Sequence, residues 1–288
     1  MGKVAYHAGS YIDERDAVIP VSALAMRYGL SIFEGIRAYK SRSNSIVLFR
    51  LNQHIERLRN SLEVVGFPDP GIDELPVIIE RLIVENSISD DCYIRPSIHA
   101  INDGDMGSTI SPAMTVTIKQ MGRKTWLKDN RLAKVATSSW RKASADIYPP
   151  ALKCISAYTI PFVAGKIACS KGYDFPIFLS KEGYVSEAPT SAIFIVSKGE
   201  LKTPSLENCL LPSITRQAVI DMADELNIPV NEESLTVQDL YLADEAFLCG
   251  TGLEFAPIES IDSYRLRQCV ARPITRRVID YYFEIVRS

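Results

Sequence analysis

The chain has 288 residues, 47% of them hydrophobic and 23% charged, with a formal net charge of −3. That balance belongs to a globular protein of one or two domains with a sizeable core. The lysines and arginines are scattered, so no basic stripe for nucleic acid is present; no uncharged run nears the roughly 18 residues of a membrane span, and the first twenty residues hold no apolar stretch of signal-peptide length, which together imply a cytoplasmic protein with no membrane partner.

Strand and helix patterns interleave along the chain without repeats, the mark of a mixed α and β protein. Residues 45–49 (SIVLF) read as a strand, and 51–67 (LNQHIERLRNSLEVVGF) and 73–86 (DELPVIIERLIVEN) carry apolar positions at helical spacing. A second β-branched run, 113–119, completes a first α+β unit over residues 1–119. Periodicity then lapses and charge density rises, which marks residues 120–130 as a linker before a larger domain at 131–288. That domain opens with a strand at 132–140 and continues with a helix after Lys153. Strand-rich stretches DFPIFLS, GYVSEAP and SAIFIVSKG follow, then a helix at SITRQAVIDMADELNI, the strand EAFLCG and a terminal helix.

The six cysteines are far apart, without CxxC spacing, and read as buried free thiols; the three histidines show no metal-ligand pattern. Four stretches hold chemistry. In YPPALKCISAY, Lys153 lies in an apolar run that contains no acidic residue. Desolvation favours a neutral amine, which is what attack on a carbonyl carbon requires, although a lysine with its stem on apolar surface and its ammonium in water fits the same run. Pro212, Ser213 and Thr215 open an amphipathic helix whose first N–H groups suit an anion or a plain N-cap. The Gly-Thr-Gly turn at 250–252 lets backbone approach a ligand closely, or simply ends a strand. Glu187 follows a strand and precedes alanine and proline, as a functional loop carboxylate or an exposed acid would. Together these supply the three things pyridoxal phosphate needs: an amine for its aldehyde, a phosphate cradle and a carboxylate for its ring nitrogen.

The chain also resembles the class IV, fold-type IV aminotransferases, most closely the branched-chain amino acid aminotransferases. The resemblance rests on YGLSIFEGIRAY, HIERLRNS, YIRP, DMGSTISP, SSWRK, LKCISAY, VSEAPTSAIFIV, LLPSITR, LADEAFLCGTG and PIT, in family order over nearly the whole chain. It implies an α+β fold with a small N-terminal α/β domain and a larger C-terminal pseudo-barrel domain. It makes Lys153 the lysine that bonds the cofactor aldehyde, Glu187 the partner of the pyridine nitrogen and Tyr158 the partner of the phenolic oxygen. Arg57, Ile214, Thr215 and Thr251 would hold the phosphate, with Leu211 against the ring. For substrate it implies Phe33, Gly35 and Arg37 along the side-chain pocket, Tyr93 and Arg95 for a glutamate side chain, and Thr251 with Gly252 for the α-carboxylate. Tyr28, Met106 and Gly107 match positions that reach a neighbouring subunit's site, so a homodimer or higher homo-oligomer is expected.

The implied reaction is transamination between L-leucine, L-isoleucine or L-valine and 2-oxoglutarate, with Lys153 both bonding the cofactor and moving a proton. Alternatives on the same fold are D-amino acid aminotransferases, R-selective amine transaminases and aminodeoxychorismate lyases; a catalytically silent binding protein is the non-enzyme alternative. Departures from the family pattern are Ser156 and Ala157 for glycine and asparagine, Ala192 for asparagine, Gly252 for alanine and Arg272 for glycine. They bear on substrate identity more than on cofactor use.

Overall fold

The computed structural model describes residues 2–288, which divide into two compact units. The first comprises residues up to Gly122 with Ala151–Ala157 and Arg287; the second comprises Arg123–Pro150, Tyr158–Val286 and Ser288. A linear division at residues 120–130 therefore misses one excursion, because the Lys153 segment packs with the first unit.

The first unit contains β1 (Val4–His7), β2 (Ser10–Asp13), α1 (Leu24–Tyr28), β3 (Ser31–Phe33), β4 (Ile36–Lys40), β5 (Ile46–Leu48), α2 (Leu51–Val65), α3 (Leu75–Glu85), β6 (Cys92–Ala100) and β7 (Pro112–Gln120). Its sheet runs β2-β1-β7-β6-β4-β5, with β3 also paired to β6. In α2 the inward stripe is His54, Leu58, Ser61 and Leu62, spaced as one helical face. Gly66, at φ 69°, caps its end by taking the left-handed conformation that glycine adopts without strain. Leu75, Ile78, Ile79 and Leu82 form the matching stripe of α3.

β6 lies at the centre of that sheet although it carries Pro96. The pairing explains this. Phe33 stands opposite Ser97 and Ile36 opposite Ile94, so β3 and β4 flank a break at Glu34 and Gly35. The Pro96 carbonyl accepts the Glu34 N–H at 2.9 Å. A strand residue's N–H and C=O face the same neighbour, so the donor that proline lacks would have pointed into the break rather than at β7.

The second unit contains α4 (Thr125–Lys128), β8 (Ala133–Arg141), α5 (Thr159–Ser170), β9 (Phe175–Leu179), β10 (Ala192–Ser197), β11 (Glu200–Pro204), α6 (Ile214–Glu225), β12 (Val230–Glu233), α7 (Val237–Leu242), β13 (Glu245–Gly250), β14 (Glu254–Ile261), β15 (Tyr264–Arg265) and α8 (Pro273–Ile285). The main sheet order is β12-β11-β10-β13-β14-β8-β9. Lys198 and Gly199, at φ 53° and 86°, turn β10 into β11, as a two-residue hairpin whose twist matches its strands requires. Its core gathers Val135, Ile177, Ile193, Leu248, Ala256 and Ile258, all at most 1% exposed. α7 opens on a reciprocal cap between Thr236 and Asp239. α8 opens with Pro273, and buried Glu245 accepts the N–H groups of Ile274 at 3.1 Å and Thr275 at 2.7 Å, placing a carboxylate at the positive end of the helix. No helix among the described residues is long and apolar enough to cross a membrane.

Candidate active site

Lys153 is fixed to β3 by its backbone. Its carbonyl accepts the Phe33 N–H at 3.1 Å, its own N–H donates to Ser61 Oγ at 3.2 Å, and Ile32 and Cys154 form an antiparallel bridge. The side chain therefore rises beside Phe33, with Nζ 4.7 Å from the ring centroid. The Arg95 guanidinium lies 3.8 Å from the same centroid, so two cations meet one aromatic ring. Arg95 also hydrogen-bonds Tyr93, whose hydroxyl burial pushes above its ordinary pKa and so keeps protonated. A Cβ at position 35 would overlap Tyr93 Oη, so glycine there is what admits the phenol.

Arg57 lies on α2 and grips Glu34 with two donors, Nε to Oε1 at 2.6 Å and Nη2 to Oε2 at 2.8 Å. His54, one turn earlier on the same face, reaches Glu34 Oε2 through Nδ1 at 2.8 Å. Burial alone would raise the Glu34 pKa, but Arg57 and then His54 hold it down at about 2, so the acid is ionised. A carboxylate only accepts, which places the His54 proton on Nδ1. Burial drives the His54 pKa down, and the nearby cations Arg57 and Lys153 add to this, so the ring is neutral.

Arg37 is 1% exposed, and its guanidinium donates to the carbonyls of Met121 and Gly122, where β7 has ended. Those bonds give it a structural task in addition to any pocket role. Tyr28 ends α1, and Met106 and Gly107 lie on an exposed loop. Arg27 donates to Tyr28 Oη at 3.0 Å, to Asp103 Oδ1 at 3.1 Å and to the Gly104 carbonyl at 2.9 Å, so Asp103 and Gly104, which lead into that loop, share one guanidinium with the tyrosine.

In the second unit Glu187 lies in a stretch that sequence patterning reads as strand-rich. The chain there makes only isolated bridges, Leu179 with Val185 and Ala188 with Ser191, because a turn reverses it within a few residues. Backbone bonds with Phe178 hold Glu187 on both sides, Ser186 N–H to Phe178 O and Phe178 N–H to Glu187 O, each at 2.9 Å. Lys142 donates to Glu187 Oε1 at 2.6 Å and the Leu211 N–H approaches Oε2 at 3.4 Å. Ser213 caps α6 by accepting the Arg216 N–H at 3.2 Å, leaving buried Ile214 and Thr215 in the first turn. Tyr158 ends a short 3-10 turn and starts α5. Thr251 and Gly252, with Leu253, form the three-residue hairpin loop between β13 and β14, which closes on Glu254 at a left-handed φ of 61°. A Cβ at Gly250 would come 2.7 Å from the Thr190 carbonyl.

Against known proteins, residues 31–261 match the sequence profile of the family described as amino-transferase class IV. The chain belongs to that family. This aminotransferase is 35% identical over 281 residues to the branched-chain-amino-acid aminotransferase of Salmonella typhimurium, covering 96% of this chain and 90% of that one. Among solved structures it matches the branched-chain aminotransferase from Thermoproteus uzoniensis with norvaline at TM-score 0.93 and 34% identity, over 99% of this chain and 95% of the other. The branched-chain amino acid aminotransferase from Thermobaculum terrenum in its PLP form matches at 0.92 and 31%, over 99% and 94%. The fold is fold-type IV and the enzyme a pyridoxal-phosphate-dependent aminotransferase.

Each unit offers donors of the kind that cofactor takes: the first an amine beside an aromatic face and an oriented guanidinium, the second a capped helix start and a fixed carboxylate. Three members were not singled out from sequence. Glu34 and His54 lie inside the FEGIR and HIERL stretches, and the three-residue spacing of His54 and Arg57 was the available signal. Lys142 closes SSWRK, where nothing in the sequence pairs it with Glu187. Two departures are also placed. Ser156 Oγ donates to Cys154 Sγ at 3.1 Å, and Arg272 takes φ 35° while its buried guanidinium donates to the carbonyls of Cys269 and Val270.

Proposed function

We propose that the enzyme transfers the amino group of L-leucine, L-isoleucine or L-valine to 2-oxoglutarate, giving a branched 2-oxo acid and L-glutamate. The observation that carries this reading is the Phe33 cluster. One ring offers an apolar wall beside the Lys153 amine, while Arg95 stands against the same ring and hydrogen-bonds Tyr93, so that both are available as carboxylate donors. A pocket with both characters suits an aliphatic side chain in one half-reaction and a second carboxylate in the other. That the similar proteins are branched-chain aminotransferases, one of them solved with norvaline, agrees with the apolar half.

Bound pyridoxal phosphate supplies an aldehyde that captures the amine and a ring that accepts electrons from the substrate's Cα. Lys153 is the amine that would bond the aldehyde, and its Nζ, when free, would take the Cα proton and pass it on as general base and then acid. Glu187 accepts the pyridine N–H and keeps that nitrogen protonated, held in place by Lys142. Arg57, Ile214, Thr215 and Thr251 bind the phosphate, Tyr158 donates to the phenolic oxygen and Leu211 packs on the ring. Phe33, Gly35 and Arg37 line the side-chain pocket, and Thr251 with Gly252 receives the α-carboxylate. Tyr28, Met106 and Gly107 complete a second copy's site in a homodimer, and the protein works in the cytoplasm.

Arg95→Ala tests the substrate assignment. Losing one buried charge-assisted contact costs ~2 to 4 kcal/mol, or roughly 30-fold to 1,000-fold in kcat/KM. That loss is expected with glutamate and 2-oxoglutarate, while L-leucine loses much less. Equal losses in both half-reactions, or a wild-type preference for D-alanine or R-1-phenylethylamine, would contradict the assignment.

A further inference from the structure

We infer that Glu34, with His54 behind it, is the positioning residue that sets the direction of Arg57 toward the cofactor's phosphate. The inference rests on the reading of Arg57 as a phosphate ligand.

Glu34 is 1% exposed and all its polar reach is engaged. Arg57 occupies both oxygens, His54 Nδ1 and the Gly35 N–H share Oε2, and the Glu34 N–H is tied to Pro96. An acid this buried is costly unless its partners are fixed, and here three elements fix them: α2 holds Arg57 and His54, the start of β4 holds Gly35, and β6 holds Pro96. Arginine otherwise loses a large rotamer entropy when it binds. The grip through Nε and Nη2 settles the guanidinium plane and turns its other edge, Nη1 with the second Nη2 hydrogen, in one direction. A phosphate met by that edge gains from an arginine already immobilised. Because neutral His54 adds no charge, the net charge of the Glu34 and Arg57 pair is near zero, so the device works through orientation rather than through attraction at a distance. It also joins the phosphate anchor to the substrate wall, since Phe33 and Gly35 adjoin Glu34 in the same turn.

The test is the affinity of the full chain, stripped of cofactor, for pyridoxal phosphate and for pyridoxal, which lacks the phosphate. Arg57→Ala, Glu34→Gln, Glu34→Asp and His54→Asn are compared with wild type, with thermal melting as a folding check. The expected result is that Glu34→Gln and Glu34→Asp each weaken pyridoxal phosphate by about tenfold or more and leave pyridoxal within about threefold, with His54→Asn smaller in the same sense. Glu34→Gln/Arg57→Ala should lose no more than Arg57→Ala alone, because both act through one guanidinium. Should Glu34→Gln fail to fold, Glu34→Asp, which keeps the charge but retracts it, and His54→Asn decide the matter by the same comparison. A merely structural role would weaken both ligands alike, and a charge-dominated site would bind pyridoxal phosphate more tightly in Glu34→Gln; either outcome overturns the inference. If Arg57→Ala discriminates the two ligands and no Glu34 or His54 variant does, Arg57 stands as phosphate ligand and Glu34 falls. If Arg57→Ala does not discriminate, both fall.

Discussion

Lys142 shows how much one partner decides about a carboxylate, here the one proposed to serve the pyridine nitrogen. The Lys142 ammonium lies 2.6 Å from Glu187 Oε1 and the Leu211 N–H 3.4 Å from Oε2, so the carboxylate is held at both oxygens, Lys142 being the stronger hold. Lys142→Met should therefore let the carboxylate rotate: kcat falls about 10-fold to 100-fold while bound cofactor is retained, and Lys142→Arg restores most of the rate. Stopped-flow measurement of the half-reaction checks this, and a Lys142→Met enzyme with wild-type rates would remove Lys142 from the account. Glu187→Gln keeps size and loses charge, so turnover should fall by about 100-fold or more with the cofactor still bound; near wild-type turnover would deny the electron-sink role. At this scale the sequence singles out residues whose chemistry is intrinsic, such as Lys153 in an apolar run. It was silent on Glu34, His54 and Lys142, because their importance lies in which distant group each one touches.

The break between β3 and β4 is the element on which the N-terminal unit turns. Opposite Pro96 the ladder has no donor to satisfy, so Glu34 and Gly35 can leave the sheet, and this exit is what carries the Glu34 carboxylate to α2. Proline also hides β6 from strand patterning, although its burial alternates or stays high throughout. The helices α2, α3 and α6 were legible because their apolar positions repeat at helical spacing; the Glu187 stretch was not, because short bridges and extended strand look alike over a few residues. Two glycines should respond differently to alanine. At Gly250 the clash is with the Thr190 backbone, and Gly250→Ala should destabilise the fold by about 2 kcal/mol or more in chemical denaturation. At Gly35 the clash is with the movable end of Tyr93, so Gly35→Ala should keep most of its stability and lose activity with glutamate first. Identical stability losses at both sites would show that the Tyr93 end is as rigid as backbone.

Across the whole molecule, acid sensitivity follows from three buried groups of the first unit. Burial, with His7 and Arg95 nearby, pushes His99 from 6.5 down to about 4, while its Nδ1 lies 2.6 Å from Ser31 Oγ. The folded ring stays neutral while the unfolded ring takes a proton, so stability is full above about pH 6.5 and declines as pH falls toward about 4. His54 acts in the same direction. Glu34, held near 2 against an ordinary 4.5, adds a further loss as pH drops below about 4.5. Denaturation midpoints should fall steadily from about pH 7 to about pH 4, and His99→Gln should flatten the upper part of that decline; a flat profile in the wild type would contradict the burial argument. The division into two sheets was legible from the interleaved patterns and the charged lapse near residue 125, whereas the return of residues 151–157 to the first unit was not, since nothing local in LKCISAY records its pairing with Ile32 and Phe33. That return sets the Lys153 amine beside Phe33, and the whole functional account depends on it. Borohydride reduction of the purified holoenzyme followed by peptide mass mapping tests it most directly. The account predicts a single pyridoxyl label on the peptide containing Lys153, lost in Lys153→Ala; a label on another lysine, or an unlabelled chain that still transaminates, would contradict it.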